Sequence, residues 1–189
     1  ILAWEFFHPG KEAPKFIQYI QDRDLWRWQL SYSKEFSAAF DMVPFEFEEY
    51  DKHLDDSVFD EACKRGSYIL AYSRTFIDKA CKNAVHRTLK GRSCLVVNSA
   101  HWASEIGGRL AKSADVALVW FYDHNQGKII CGLRSAHDDI DVAILAKAFG
   151  GGGHRRAAGM QLTVPSIEDI FDKPQEVVQT ALFTSGSAE

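Results

Sequence analysis

None of the four cysteines, Cys63, Cys81, Cys94 and Cys131, stands in a Cys-x-x-Cys pair. The usual spacing of a structural zinc site is therefore missing. Buried free thiols in a reducing cytoplasm are the expected state. No run of about 18 apolar residues occurs, so no membrane-spanning helix and no membrane partner are expected. The start lacks the basic and apolar regions of a secretory leader. Positive charge is not in excess: 22 lysines and arginines stand against 26 aspartates and glutamates, a net charge of -4. A broad duplex-binding surface needs a basic face, so what remains open is a local basic pocket for one phosphate-bearing end. Internal repeats are absent, and the glycine run near residue 150 is the only low-complexity stretch. The chain begins at Ile1 without a methionine, and Ile1-Leu2-Ala3-Trp4-Glu5-Phe6-Phe7 reads as the middle of a buried helix. It is expected to be a piece of a longer protein whose N-terminal part is missing.

What is present is globular in composition, with 46% hydrophobic and 25% charged residues in 189. That suits one domain plus a fragment, or two small domains. Residues 1–8 read as a helix stopped by His8-Pro9-Gly10. A second helix starts at Pro14 and runs to about Asp22, with Phe16, Ile17 and Ile20 on one face. Residues 34–43 are helical until Pro44, and 45–51 are a short strand or a loop entering a helix. Asp55-Asp56-Ser57 resembles an N-cap, followed by a helix through Lys64 that stops at Gly66. Ser67 to about Leu89 is the longest helix candidate, a connector between two domains. Its basic residues, including Lys79, Lys82 and Arg87, read as a solvated face that suits the helix dipole.

From Gly91 the pattern alternates. Strands are expected at Ser93–Val97, Asp115–Tyr122, Lys128–Leu133 and Met160–Val164. Helices are expected at Ala103–Lys112 and Asp139–Phe149. Asp123-His124-Asn125-Gln126-Gly127 forms a hairpin turn. The fold class is α/β, a small β-α-β-β-α-β module with a mixed sheet. In the tail, Ile167–Phe171 and Gln175–Phe183 could each form a helix, and Thr184–Glu189 reads as loose. The division is 1–55, 56–90, 91–165 and 166–189.

Two places carry chemistry. Gly150-Gly151-Gly152-Gly153-His154-Arg155-Arg156 offers bare backbone N–H groups that an anion can approach, with charge at the edge. The same stretch also suits a flexible turn with a solvated basic pair. Arg134 and Ser135 close one strand, and Asn98-Ser99 close another. In a β-α-β arrangement such ends can meet on one edge of the sheet. Arg134 brings a fork of donors matched to phosphate, or it pairs with Asp138 or Asp139. His154 is a phosphate donor, an acid or a helix cap, and Asn98 a pocket residue or a turn residue. Trp102 and His101 could stack on a base or pack in a core. The second place is Asp22 with Asp24, hard oxygen donors for a divalent cation. Taken alone they read first as a helix-end cluster paired with Arg23 and Arg27, since isolated charge clusters are usually solvated faces.

Gly-Leu-Arg-Ser (132–135), the aliphatic helix Asp141–Phe149, and the Gly150–His154 run leading to Ala157-Ala158-Gly159 together resemble the DHHA1 domain of DHH-family phosphoesterases. The resemblance covers about residues 91–165. Tyr19-Ile20-Gln21-Asp22-Arg23-Asp24-Leu25-Trp26 is similar to the last metal-binding stretch of the family's DHH domain. The resemblance implies that 1–55 is the end of a DHH catalytic domain, 56–90 a helical connector, and 91–165 the substrate-binding domain of a phosphodiesterase. Its substrate would be a short oligonucleotide or a linear or cyclic dinucleotide; RNA ends, cyclic dinucleotides and polyphosphate are not separated. Substrate-binding residues would be Asn98, Arg134, Ser135, Gly151, Gly152, Gly153 and His154. Asp22 would be a metal ligand, with Asp24 as runner-up. The family's two-metal centre takes manganese (Mn2+) or magnesium, and residues upstream of Ile1 would complete it. The Asp-His-His motif is absent, so this chain alone is expected to be inactive or severely impaired, while its full-length parent is the enzyme. Related domains also occur as the tail of alanyl-tRNA synthetases, which implies a non-catalytic tRNA-binding module as the alternative. A regulatory fragment or homodimer is a third reading.

Overall fold

The computed structural model describes residues 1–163 and 165–173. The expected helix Gln175–Phe183 and the end Thr184–Glu189 lie outside the described residues. The chain divides into two compact units, Ile1–Lys79 and Ala80–Glu189. No helix among the described residues is long and apolar enough to cross a membrane.

The first unit is helical: α1 (Leu2–Phe7), α2 (Lys15–Asp24), α3 (Ser33–Phe40), α4 (Phe47–Asp51), a 3-10 turn at Lys52–Leu54, and α5 (Asp56–Lys82). α1 buries none of its residues, against the buried-helix reading, and Leu2, Phe6 and Phe7 stand exposed. The core gathers Phe36, Ala39, Phe59, Ala62 and Cys63, with Phe16 and Tyr19 of α2 packed against it. Phe36 stacks on Phe59 with ring centroids 4.9 Å apart. α5 is one helix of 27 residues, not two. Gly66 does not stop it. A Cβ there would overlap the Glu35 carbonyl oxygen at 1.7 Å, so Gly66 is where α5 meets the backbone of α3 most closely. At its start, Asp55 accepts the Ser57 N–H at 2.8 Å, as an N-terminal cap.

The second unit contains β1 (Val85–Leu89), β2 (Arg92–Asn98), α6 (Ala103–Leu110), β3 (Val116–Asp123), β4 (Lys128–Arg134), α7 (Val142–Lys147), β5 (Gly152–His154) and β6 (Ala157–Leu162). A 3-10 turn follows at Ile167–Ile170, capped by Ser166. The sheet order is β1-β2-β3-β4-β6-β5. Among the described strands only β2 and β3 are parallel, and α6 connects them; the sheet is mixed, as expected.

Two strands were not foreseen. Residues 85–89 continue the helical spacing of α5, yet the helix ends at Lys82 and Val85–Leu89 pairs antiparallel with β2. Lys90 (φ 51) and Gly91 (φ 75) form the intervening two-residue turn, which favours left-handed backbone. Asp172 accepts the Lys90 and Gly91 N–H groups, at 3.3 and 2.7 Å. The other strand, β5, lies inside the glycine run. Helix α7 is shorter than expected, and its cap is Asp141, whose carboxylate accepts the Ala143 N–H at 2.9 Å.

The two faces of the sheet are covered differently. Cys94, Val96, Leu118, Cys131, Leu133, Ala158 and Met160 pack with Val142 and Ala146 of α7. On the other face α6 lies over β3 and β4. Beyond β4 nothing among the described residues covers that second face, and Gly159, Gln161 and His154 are exposed.

Candidate functional site

The open part of the second face is a shallow trough. In an antiparallel sheet, directly paired residues project to the same side. The register therefore places His154, Ala157 and Arg134 in one row, and Gly152, Gly159 and Gly132 in the next. Both rows belong to the uncovered face, because Leu133, Cys131 and Ala158 belong to the other. Three glycines side by side leave a floor of bare backbone, flanked by a guanidinium and an imidazole.

Three of the four consecutive glycines are required, each for a separate reason. Gly150 turns the chain out of α7 with φ 77, and the Gly151 N–H returns to the Ala146 carbonyl at 2.9 Å. Gly151 is pressed against β6, where a Cβ would meet the Gly159 carbonyl oxygen at 2.2 Å. Gly153 (φ 145) lies against Ala157 and Ala158. Gly152 alone has neither constraint: a Cβ there would meet nothing within 4 Å and would stand over the trough.

Arg134 reaches the trough along α6. A Cβ on Gly107 would come within 2.9 Å of Arg134 Cγ, so the helix needs glycine where the arginine stem passes. Nη2 donates to Ser104 Oγ at 3.0 Å, and Nη1 donates to the Leu133 carbonyl at 2.8 Å. Nη1 also lies 3.9 Å from the Cβ position of Gly132, which places the fork at the edge of the glycine floor. Burial pushes the guanidinium pKa down, and the Glu105 carboxylate partly opposes this. It stays charged at neutral pH. No ion pair forms with Asp138 or Asp139. Asp138 instead takes an ion pair from Arg156, and its carbonyl accepts the Arg155 Nε–H at 3.0 Å. Arg155 and Arg156 thus make the β5–β6 turn and hold the neighbouring loop. The His154 ring is exposed and has no hydrogen-bond partner among the described residues.

The remaining pocket candidates are placed elsewhere. The Ser135 hydroxyl is buried; it donates to the Asp115 carbonyl at 2.7 Å and accepts the His137 N–H at 3.2 Å. It ties the end of β4 to the start of β3. Asn98 is not brought to the trough. It pairs with Trp120, three residues along β3 from the Ala117 that pairs with Arg134, which is about 10 Å at strand rise. An odd offset also puts it on the opposite face, where its side chain donates to the Trp120 carbonyl at 3.1 Å. Ser104 and Gly107 were not foreseen. A Gly107-Gly108 pair inside a helix was the local sign of a close approach.

In the first unit Asp22 is buried at 5% exposure. Its carboxylate accepts the N–H groups of Gln29 at 3.0 Å and Leu30 at 3.4 Å. Burial pushes its pKa up, but Ser33, these two N–H groups and the Arg27 charge outweigh that and hold it below the usual carboxylate range. The bonded segment is strained: Trp26, Trp28 and Tyr32 have φ of 53, 53 and 61, costly for bulky side chains. Asp22 lines an open pocket of about 390 Å3 with Glu5, Glu12 and Gln29. Asp24 lines a different one of about 320 Å3 with Arg23 and Asp41. Two residues apart on a helix, the carboxylates diverge by about 200°, so they do not act as a pair. Arg23 pairs with Asp41. No group of three His, Cys, Asp or Glu among the described residues could hold a metal ion. The donors described here therefore do not fit a two-metal centre.

Residues 98–180 match the DHHA1 domain family. The chain is 34% identical over 166 residues to uncharacterized protein R106 of Acanthamoeba polyphaga mimivirus, covering 84% of this chain and 39% of that protein. It is 26% identical over 190 residues to the oligoribonuclease NrnB of Bacillus subtilis (strain 168), covering 88% and 43%. The chain thus spans about two fifths of the length of these relatives. Among solved structures, it aligns with a pGpG-specific phosphodiesterase, PggH, from Vibrio cholerae. That alignment has a TM-score of 0.49 and 15% identity, over 89% of this chain and 67% of that one.

Proposed function

We propose that the chain, whose residues 98–180 match the DHHA1 domain family, is part of a DHH/DHHA1 phosphoesterase and that its second unit grips the phosphate end of a short oligonucleotide or dinucleotide for phosphodiester hydrolysis. The observation that carries this reading is Gly152, which has space above it and sits in a row of glycines beside the row that has His154 and Arg134 at its two ends. A phosphate can approach that floor closely because no side chain stands above it, although the floor's N–H groups lie in the sheet plane and bond neighbouring strands; it takes guanidinium donors from the α6 side. His154, at the sheet edge, contributes a further donor. Arg134 is partly desolvated, so its field toward an anion is stronger than that of a solvated arginine. Positioning of this kind fixes a scissile bond for in-line attack.

In the whole protein, two divalent ions (Mn2+ or Mg2+) would supply the activated water and stabilise the leaving oxygen. Asp22 is proposed to lend one carboxylate to that centre. By itself the chain should bind substrate and turn it over poorly.

Calorimetry with a 5′-phosphorylated diribonucleotide tests the binding. One site per chain is expected, weakened about tenfold or more in Arg134→Ala, as for a lost charge-assisted phosphate contact. Equal affinity in the variant, or tight tRNA binding with a steep salt slope, would overturn the reading. Robust manganese-dependent cleavage of a p-nitrophenyl phosphodiester by this chain would overturn the division of labour.

A further inference from the structure

The outward face of α5 carries a row that the trough does not use. Lys64, Arg65, Tyr68, Ala71, Tyr72, Thr75, Phe76 and Lys79 recur at three- and four-residue spacing, and all are exposed. The opposite face of the same helix buries Phe59, Ala62, Cys63, Gly66 and Ser73. An amphipathic helix ordinarily turns charged and small polar residues to water. Here Tyr68 and Tyr72 stand 68% and 66% exposed. Tyr72 and Phe76 meet edge to face, with ring centroids 4.9 Å apart, and Lys79 Nζ lies 5.8 Å from the Phe76 ring. From Lys64 to Lys79 the row contains no acid, although acids outnumber bases in the chain as a whole. Among the described residues neither Lys64 nor Arg65 is in an ion pair.

We propose that this face is a track for single-stranded nucleic acid, with bases on Tyr68, Tyr72 and Phe76 and phosphates along Lys64, Arg65 and Lys79. Aromatic rings interleaved with cations are the chemistry that holds a strand without reading its sequence. The aromatic positions rise about 6 Å from one to the next along the helix. A stacked duplex strand steps only about 3.4 Å, so the geometry asks for splayed bases, which a single strand offers. A second copy of the chain fits less well. A two-fold interface through this row would bring three cations of each copy together, with Glu61, one turn before Lys64 on the same face, as the single acid to meet them. The track shares with the trough only the class of ligand, and the two readings fail separately.

The test is fluorescence anisotropy of the full chain in EDTA, with a labelled twelve-nucleotide oligouridylate and a labelled diuridylate. The double variant Tyr68→Ala/Tyr72→Ala should lose about tenfold or more in affinity for the twelve-mer, as expected for lost base stacking. Its affinity for the dinucleotide should not change. Tyr68→Phe/Tyr72→Phe should retain the twelve-mer, because the ring faces remain. Lys64→Gln/Arg65→Gln/Lys79→Gln should reduce the slope of log affinity against log salt by roughly 2. Three outcomes would overturn the proposal: no twelve-mer binding by the unaltered chain, an unchanged twelve-mer affinity in the alanine variant, or equal losses for both ligands. A dimer in sedimentation that the alanine variant converts to monomer would reassign the face to self-association. Loss of dinucleotide binding in Arg134→Ala, with the track variants behaving as stated, supports both sites independently.

Discussion

A Cβ at Gly151 would meet the Gly159 carbonyl oxygen at 2.2 Å and Met160 Cβ at 2.7 Å, whereas one at Gly152 would meet nothing within 4 Å. Adjacent and chemically identical, the two residues should respond differently to substitution. Gly151→Ala should cost about 1–3 kcal/mol or more, since strand backbone has to move. Gly152→Val should melt near the temperature of the unaltered chain, because its φ is unstrained and the added methyls face water. It should still weaken dinucleotide binding about tenfold, because those methyls occupy the floor. Scanning fluorimetry with calorimetry on both variants separates the roles; a Gly152→Val chain that binds normally would remove the floor from the site. The sequence showed that the run was unusual and that Arg134 and His154 belonged with it. It could not rank the glycines. Which of them touches protein and which faces water depends on β6, and β6 is brought there by pairing.

At the scale of elements, the informative cases are those in which local and distant signals conflict. Gly66 carries the local sign of a helix stop, and in isolation glycine costs about 1 kcal/mol in a helix. The α3 backbone reverses that preference. Gly66→Ala should lower the urea midpoint by the equivalent of about 2 kcal/mol or more, despite its better helix propensity, because the Glu35 carbonyl leaves no room. A stabilised variant would show that the helix ends locally after all. Residues 83–89 are the converse. Val85 and Leu89 suit helical spacing, but Val85 and Thr88 are β-branched, and Lys90-Gly91 is a hairpin turn. The turn prevails because β2 offers a full ladder of partners from Val85 to Leu89. Strand β5 was not legible at all, since alternation is read from side chains and two of its three residues have none. Most of the other elements were legible to within a few residues, because their periodicity is carried by large apolar side chains.

At the scale of the whole chain, the two units rest on different chemistry. The second is an α/β sheet with a wide apolar core, in which burial pushes the Cys94 and Cys131 thiols up to about 12. The first has a small aromatic core and relies on Asp22 to hold the strained segment through Tyr32. The folded Asp22 carboxyl sits below its ordinary value. Its contribution is therefore present above about pH 4 and is lost as pH falls through the lower folded pKa. Helical signal from the first unit should weaken toward acid in the unaltered chain, and Asp22→Asn should remove part of that dependence. Urea titrations at pH 7 and pH 3 give the comparison. An identical pH dependence in Asp22→Asn would assign the acid sensitivity to other carboxylates.

The sequence alone determined the α/β class of the second unit and the motif from Arg134 through His154, which lies within the match to the DHHA1 domain family. Those features are written in local spacing and in residue types that little else explains. Tertiary structure decided the rest. It put Arg134 and His154 on the open face, sent Asn98 to the other, turned Ser135 inward to the Asp115 carbonyl, and paired Arg156 with Asp138 at the surface. It also separated Asp22 from Asp24 and left Gly152 as the one position in the glycine run with neither a positive φ nor a close neighbour. These outcomes follow from strand register and close backbone approach. Both are set between residues far apart in the chain, where no local pattern records them.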